Sequence, residues 1–420
     1  MKIKQLEIQN FRCKKKASLE LGRRLTILVG ENGAGKTTFL DAIAIALGAV
    51  VSYLPKAKGR DFKDRGEIRQ VGGRPVAYAR IFVSTQDGLA WDCINYNSLR
   101  PKSQSLKQIT IGKRSLREYI DHTVLRPLAN DEEFVLPIFA YYGVSRALLD
   151  IPERRRGFEV DNDRILDALD QSLTTGSSFR SAFIWYYNKE GEELRLRNAM
   201  RNLDLEHPHL RGVRQCLMTL FPSLSNPRFA VKPPPRLIVT EEGEDLELSQ
   251  LSDGYKTLIG LAIDLSRRMA AGNPDMDNPL ESPAIVLIDE VDLHLHPAWQ
   301  QKVVSDLLRC FSNTQFIITT HSPFVVEGVN NLLKRHSIDK LLPQPNGDDD
   351  LRHIRDLYPL DPQDTAVYQI TRDSQVDLMD RGEGLTADTL VDNFNQVSQL
   401  FKQMRDLEWD SLCLSQGGSG

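Results

Sequence analysis

Cysteine is scarce in this chain of 420 residues. Its five cysteines, Cys13, Cys93, Cys216, Cys310 and Cys413, are odd in number and form no Cys-x-x-Cys pair. That pattern excludes a disulfide framework and suits inert thiols in a reducing compartment. Long apolar runs are also missing: no stretch approaches the ~18 residues that a membrane-spanning helix needs. Nor is there an excess of charge of one sign. Lysine and arginine total 53 against 57 acidic residues, a net charge of −4, so no global basic field recruits nucleic acid, and any such contact must be a local patch. The opening Met1-Lys2-Ile3-Lys4-Gln5-Leu6 alternates like a strand and lacks a charged-then-apolar leader, so the expected location is cytoplasmic. There is no internal repeat at a period of 20–50 residues. With 41% hydrophobic and 26% charged residues, the composition is that of an ordinary globular protein, long enough for two or three domains.

What the sequence does contain is a phosphate loop. Gly30-Glu31-Asn32-Gly33-Ala34-Gly35-Lys36-Thr37 fits G-x-x-x-x-G-K-[ST] between a strand-like run, Leu25 to Val29, and a helix-like run from Thr37 to Leu47. In that setting glycines let backbone N–H groups curl round phosphates at a helix N-terminus, so this is a nucleoside triphosphate site extending to Thr38. Lys36 is expected to reach the β- and γ-phosphates and Thr37 to hold Mg²⁺. Leu40, Ile43, Ala44 and Leu47 at i, i+3, i+4, i+7 predict one buried helix face.

The organisation predicted along the chain is α/β. Residues 1–147 read as a first lobe: strand, turn, strand, phosphate loop and helix, then a β-rich stretch. In that stretch Val76 to Ser84 and Leu89 to Tyr96 form a hairpin about Thr85-Gln86-Asp87-Gly88, and a short buried strand runs from Val135 to Tyr141. Residues 148–236 read as an inserted, charged helical arm with arginine clusters at Arg154-Arg155-Arg156 and Arg195 to Arg201, closed by Pro233-Pro234-Pro235. Those clusters fit either solvated helix faces or nucleic-acid contacts. Residues 237–328 return to β/α text, with a strand Ala284 to Ile288, a helix Ala298 to Cys310 and a strand Gln315 to Thr320. Residues 329–416 read as a helical tail poor in buried strands, interrupted by a solvated loop at Asp348-Asp349-Asp350, and 417–420 as a linker scar.

Three further pieces bear on chemistry. Ile285 to Ile288 run straight into Asp289-Glu290, so a buried strand delivers two carboxylates to the sheet edge where phosphates lie. Asp289 is the expected Mg²⁺ ligand with Thr37, and Glu290 the group that polarises the attacking water. His321, after the strand Phe316 to Thr320, is placed to donate to a γ-phosphate. Leu251-Ser252-Asp253-Gly254-Tyr255 precedes the helix-like run Lys256 to Met269, where a serine and a glycine at a helix start make an anion site. The pair His294 and His296, with Asp292, also invites a metal, since alternate residues of an extended segment point the same way, but no third ligand beyond that carboxylate is at hand and a metal is not expected there.

The order of these pieces resembles the RecF-like and OLD-like ABC ATPases, an ABC-type P-loop head with a β-rich antiparallel subdomain and the inserted arm. The resemblance is carried by the phosphate loop, the Leu-Ser-Asp-Gly signature, Asp289-Glu290, Val291-Asp292-Leu293-His294-Leu295-His296-Pro297-Ala298-Trp299, Thr320-His321-Ser322-Pro323, and the opening strand ending Asn10-Phe11-Arg12. Within these heads the chain most resembles ATP-binding proteins of bacterial anti-phage modules such as Septu and the retron-associated ATPases, which Ala140-Tyr141-Tyr142-Gly143 and Arg146 also match. The likeness covers 1–146 and 248–328. It implies a split site, with Lys36 of one subunit binding ATP and Ser252 and Gly254 of another covering the γ-phosphate, in a head-to-head dimer that closes on ATP and opens on hydrolysis. The glutamine that completes the metal shell in such heads has no clear counterpart, Gln70 and the Tyr142-Gly143 region being the candidates, so slow or partner-dependent hydrolysis is expected.

The function expected is an ATPase that gates or scaffolds a separate nuclease effector in defence, because the tail after Gly328 is too short to hold a nuclease of its own. A RecF-like repair head clamping DNA is the alternative, and the net acidity counts against it. An importer subunit is disfavoured by the Asn-Phe-Arg opening and the His-Leu-His-Pro segment.

Overall fold

The computed structural model describes residues 1–63, 65–97, 110–144, 164–174, 179–230, 236–341 and 357–371, with short strands at 375–377, 379–380 and 384–385. Arg146, Arg154 to Arg156, Pro233 to Pro235, Asp348 to Asp350, the part of the helical tail from Ala387 to Trp409 and the linker scar lie outside the described residues.

The first lobe begins with an antiparallel pair, β1 (Ile3–Phe11) and β2 (Lys14–Glu20), and then β3 (Leu25–Val29) leads into α1 (Lys36–Val51). A small hairpin of β4 (Gln70–Val71) and β5 (Arg74–Pro75) precedes β6 (Tyr78–Thr85) and β7 (Ala90–Tyr96). Helices α2 (Arg114–Ile120) and α3 (Arg126–Ala129) follow, joined by a π-helical turn over Asp121–Leu125, and the lobe ends on β8 (Ile138–Tyr142). The middle segment gives α4 (Arg180–Met200), α5 (Pro208–Leu220) and β9 (Leu224–Phe229). Then come β10 (Leu237–Glu241), β11 (Glu244–Glu247), α6 (Asp253–Gly272), β12 (Ala284–Ile288), α7 (Pro297–Gln300), α8 (Val303–Cys310), β13 (Thr314–Thr320), α9 (Pro323–Leu341), β14 (Thr365–Ile370) and β15 (Gln375–Asp377).

The strands sort into two principal sheets. One is antiparallel, in the order β2-β1-β6-β7, and its hairpin turn falls where the sequence puts it. The other has the order β15-β14-β3-β13-β12-β8, and its five longer strands run parallel. Strands β3, β8, β12 and β13 are buried at every residue, as near-continuous apolar text in a parallel sheet covered on both faces requires. Each aliphatic side chain buried in this way contributes about 1.5–3 kcal/mol.

Helix α1 departs from its amphipathic reading. It is buried along nearly its whole length, including Ala42, Ile45 and Ala46, because it packs on strands of both sheets: β1, β6 and β7 on one side, β12 and β13 on the other. A helix apolar all round belongs in such a position. Trp91 of β7 donates from its indole nitrogen to the Ala46 carbonyl at 3.1 Å, fixing that packing.

Two segments differ from their sequence reading. The stretch read as a helical arm does hold α4 and α5, which pack on α6, but it ends in β9, paired antiparallel with β10. The stretch read as a helical tail poor in buried strands supplies β14, which lies parallel to β3 with Val367 opposite Ile27 and joins the central sheet. Thr365-Ala366-Val367-Tyr368-Gln369-Ile370 is a single short β-branched run, and nothing local in it announces a partner strand some 340 residues earlier. Among the described residues no helix is long and apolar enough to cross a membrane.

Candidate active site

Parallel register carries the predicted residues to one edge. Val29 lies opposite Thr320, and Ile318 opposite both Ile27 and Ile288, so β3, β12 and β13 end side by side at Gly30, Asp289 and His321. The phosphate loop Gly30 to Lys36 bends through positive φ at Gly30 (155°), Gly33 (78°) and Gly35 (94°), which L side chains rarely adopt. A Cβ on Gly33 would meet nothing within 4 Å, so the cradle is open there, whereas one on Gly30 would stand 2.2 Å from the Ile370 carbonyl oxygen of β14. Glu31, Asn32 and Gly33 are exposed and Ala34 and Lys36 are buried. The Thr38 hydroxyl lies 3.8 Å from the Cys13 Sγ.

Lys36 Nζ donates to the carbonyls of Gly30 at 2.8 Å and Glu31 at 3.1 Å, and lies 2.8 Å from His321 Nε2. Burial lowers the pKa of this ammonium, while the carboxylates of Glu290, Asp289 and Asp292 pull it the other way. Thr37 Oγ1 donates to Asp289 at 2.9 Å. His321 Nε2 stands 3.7 Å from Glu290 Oε1. Lys36, Thr37, Asp289, Glu290 and His321, chosen from three separate stretches of sequence, therefore meet in one place.

Thr319 went unrecognised in the sequence. Its hydroxyl donates to Asp289 Oδ1 at 2.6 Å and accepts from the Glu290 backbone N–H at 2.7 Å, so one side chain sets both carboxylate residues. Thr320 donates likewise to Asp292 at 2.5 Å. Two consecutive threonines ending an apolar, fully buried strand are the available signal, since buried hydroxyls need partners. Glu290 takes φ 49°, a left-handed conformation that turns the chain sharply after Asp289, and Asp289 N–H donates to the Tyr142 carbonyl at 2.9 Å.

The signature lies elsewhere. Ser252 is the exposed N-cap of α6, and its side chain makes no capping hydrogen bond. Gly254 is buried against the His294 carbonyl. Among the described residues no hydrogen bond joins Ser252 or Gly254 to residues Gly30 to Thr38 of the same chain. Tyr255 stacks on Phe221 and meets Trp299 edge-on with ring centroids 3.9 Å apart, tying the signature, α7 and the end of α5 into one block.

The other expectations fare variously. His296 Nδ1 accepts from the Ala298 N–H as the cap of α7, His294 turns through φ 62°, and no group of three metal-binding side chains forms among the described residues. Gln70 sits exposed on the β4–β5 hairpin and enters none of the site's hydrogen bonds described above. In the second arginine cluster Arg197 is committed to Glu193 at 3.0 Å and to the Leu205 carbonyl, which makes it a brace for the end of α4.

The donor set suits a magnesium nucleotide. A hydroxyl and a carboxylate in contact, Thr37 and Asp289, are hard oxygen ligands. Three carboxylates surround a single lysine, so a triphosphate entering here needs a divalent cation to offset the added negative charge.

A parallel sheet with a phosphate loop at its carboxyl edge, a strand-end Asp-Glu and an antiparallel sheet over the phosphate helix define a P-loop ATPase head of the ABC kind. A protein-family profile described as "AAA domain, putative AbiEii toxin, Type IV TA system" matches residues 110–327, just over half of the chain, and the chain belongs to that family. A second profile, "AAA domain", matches residues 5–206. The retron Ec83 probable ATPase of Escherichia coli is 27% identical over 398 residues, covering 79% of this chain and 70% of that protein. The retron Vc95 probable ATPase of Vibrio cholerae serotype O1 biovar El Tor is 26% identical over 360 residues, covering 74% and 68%. The Septu protein PtuA of Bacillus mycoides is 45% identical over 83 residues, 20% of this chain and 11% of that one. Among solved structures the chain is similar to the SMC head domain from Thermotoga maritima, with a TM-score of 0.41 at 16% identity over 90% of this chain and all of that one. The chain is thus an ATPase related to the retron and Septu ATPases of anti-phage defence.

Proposed function

We propose that two copies of this chain close head to head around ATP and Mg²⁺, and that the cycle of closing and opening gates a separate nuclease effector in bacterial anti-phage defence. The observation that carries the reading is the exposed Ser252 at the start of α6, a helix N-terminus whose hydroxyl makes no capping hydrogen bond and, among the described residues, none to its own phosphate loop. A hydroxyl and a positive helix end fit a γ-phosphate presented by another subunit.

In this reading Gly30 to Thr38 and Lys36 hold the phosphates, and Thr37 and Asp289 hold Mg²⁺, which when bound neutralises charge on the phosphoryl oxygens. Glu290, half-exposed and held through its backbone by Thr319, polarises the attacking water. His321, 2.8 Å from Lys36 and 3.7 Å from Glu290, stands between the phosphate-binding group and the base and reports whether a γ-phosphate is present. The defence role rests on the likeness to proteins of retron and Septu systems, and the separate nuclease effector is part of the same proposal.

The test is to purify tagged Glu290→Gln protein, with ATP and Mg²⁺, from cells expressing its native gene neighbourhood, and to identify what co-purifies by mass spectrometry. A stoichiometric nuclease-like protein is expected. DNA without a protein partner would replace this reading by the DNA-clamping repair head.

A further inference from the structure

At the opposite end of the central sheet from the nucleotide residues lies a cleft of about 550 Å³. Its walls come from the loop Leu128 to Val135 ahead of β8, from Ile165, and from Gly272 to Met276 at the end of α6. The floor is apolar, and Val135 is 49% exposed in it. Among the described residues the rim carries Asp131, Glu132, Glu133 and Asp275 and no lysine or arginine. Glu132 accepts from Asn130, whereas Asp131, Glu133 and Asp275 have neither an ion pair nor a hydrogen bond from their side chains among the described residues. The carboxyl end of α6 opens here with no basic residue in its last turn, Met269-Ala270-Ala271-Gly272, and the preceding Arg267 and Arg268 turn inward to Asp264, so the helix dipole adds to the negative potential.

The walls are firmly held. Asn273 accepts from the Leu136 N–H at 2.8 Å and donates to the Leu136 carbonyl and to Ser282, and a Cβ on Gly272 would stand 2.6 Å from Ile138 Cδ1. A rigid, preformed apolar cleft ringed by unpaired carboxylates needs little reorganisation to bind.

We infer that this cleft docks a basic peptide segment of a partner protein, one that sets an apolar side chain on the Val135 floor and lysine or arginine against Asp131, Glu133 and Asp275. Charge complementarity selects the occupant: nucleic acid and acidic peptides are repelled by the same rim. Helix α6 has 20 residues, a span of about 30 Å, and its other end is the Ser252 signature. A partner seated at one end of this helix therefore touches the element that carries the signature at the other without competing for the nucleotide site. The inference needs only the head fold and stands apart from the dimer and nuclease readings.

The test uses the full chain and a fluorescein-labelled peptide of alternating lysine–leucine pairs, with its glutamate–leucine counterpart as control, read by fluorescence anisotropy. The lysine peptide is expected to bind the unaltered chain and the glutamate peptide to fail. Combined Asp131→Asn, Glu133→Gln and Asp275→Asn substitution weakens binding by about tenfold or more, and Val135→Gln, at an exposed position, weakens it at unchanged net rim charge. A control chain with Glu242→Gln and Glu244→Gln, on the distant β10–β11 turn, binds as the unaltered chain does. Absence of binding to the unaltered chain, equal binding by all variants, or equal loss from the control substitutions would each overturn the proposal.

Discussion

Gly254 lies beneath the main-chain carbonyl of His294: a Cβ built on it would stand 2.6 Å from that oxygen. The residue is in the first turn of α6 with no positive φ, so glycine is needed there for space and not for backbone freedom. The signature and the segment that follows Asp289-Glu290 are thereby held in direct contact.

Gly254→Val should separate the two. Overpacking of this kind costs about 1–3 kcal/mol, which a folded head tolerates. Nucleotide affinity at Lys36 should hold near its original value while turnover falls on the order of 100-fold, the penalty for misplacing a catalytic element by about an ångström. Parallel nucleotide-binding and ATPase assays decide it: equal loss in both would mean that Gly254 supports the fold and not the catalytic geometry.

Lys36→Ala and Glu290→Gln should separate binding from hydrolysis. Lys36 is the sole cation hydrogen-bonded to the Gly30 and Glu31 carbonyls among the described residues, so its loss should weaken ATP binding about 10-fold to 100-fold. Glu290→Gln keeps the Thr319 contact to its backbone and should bind ATP normally while trapping a dimer. Light scattering after size-exclusion chromatography, with ATP and Mg²⁺, reads the difference, and equal monomer fractions for both variants would remove the split-site reading.

The phosphate loop, Asp289-Glu290 and His321 were legible in the sequence because each follows an apolar strand, and a parallel sheet puts such strand ends together. Thr319 was not, since its task is to orient Asp289 and Glu290, and that depends on the neighbouring strand's register. Strand β14 was missed for the same reason: pairing to β3 is non-local, and neither its length nor its periodicity names the partner. The close approach of the Ile370 carbonyl to Gly30, at the start of the phosphate loop, was invisible with it. For His294 and His296 the sequence already lacked a third ligand, and the turn through φ 62° at His294 removes the period-two geometry that would bring the two imidazoles to one side.

Asp306 on α8 gives a pH signature. Burial raises its carboxyl from the usual 3.8 to about 6, with Arg309 and Lys302 opposing. The folded state thus holds the proton more tightly than the unfolded chain. Stability from this group is complete below pH 3.8 and is lost as pH rises through about 6. Asp306→Asn should therefore raise the unfolding temperature at pH 8 and leave it nearly unchanged at the acid end of that window. Solvent reaching this half-buried side chain keeps the gain to about 1–2 kcal/mol. An equal shift at both pH values would show that packing, not titration, is responsible.

Asp264 is the anchor of α6 on the central sheet. It accepts from the Tyr142 hydroxyl at 3.0 Å and from Arg268 Nε at 2.8 Å, and Arg268 donates onward to the Ala168 and Asp170 carbonyls. Burial alone would raise the Asp264 carboxyl, but Arg268 and Arg267 hold it below the usual range, so its contribution is present at neutral pH and is lost as pH falls through that depressed value. Asp264→Asn strands a buried guanidinium and should cost about 3–5 kcal/mol. Replacing the pair together, Asp264→Leu with Arg268→Met, removes one of the two guanidiniums that face Asp264 and leaves Arg267, so it should recover only part of that loss. Denaturant unfolding of the two singles and the double gives the coupling directly. A double variant as unstable as the sum of its parts would mean that the carbonyls of Ala168 and Asp170, and not the ion pair, hold this end of the signature helix in place.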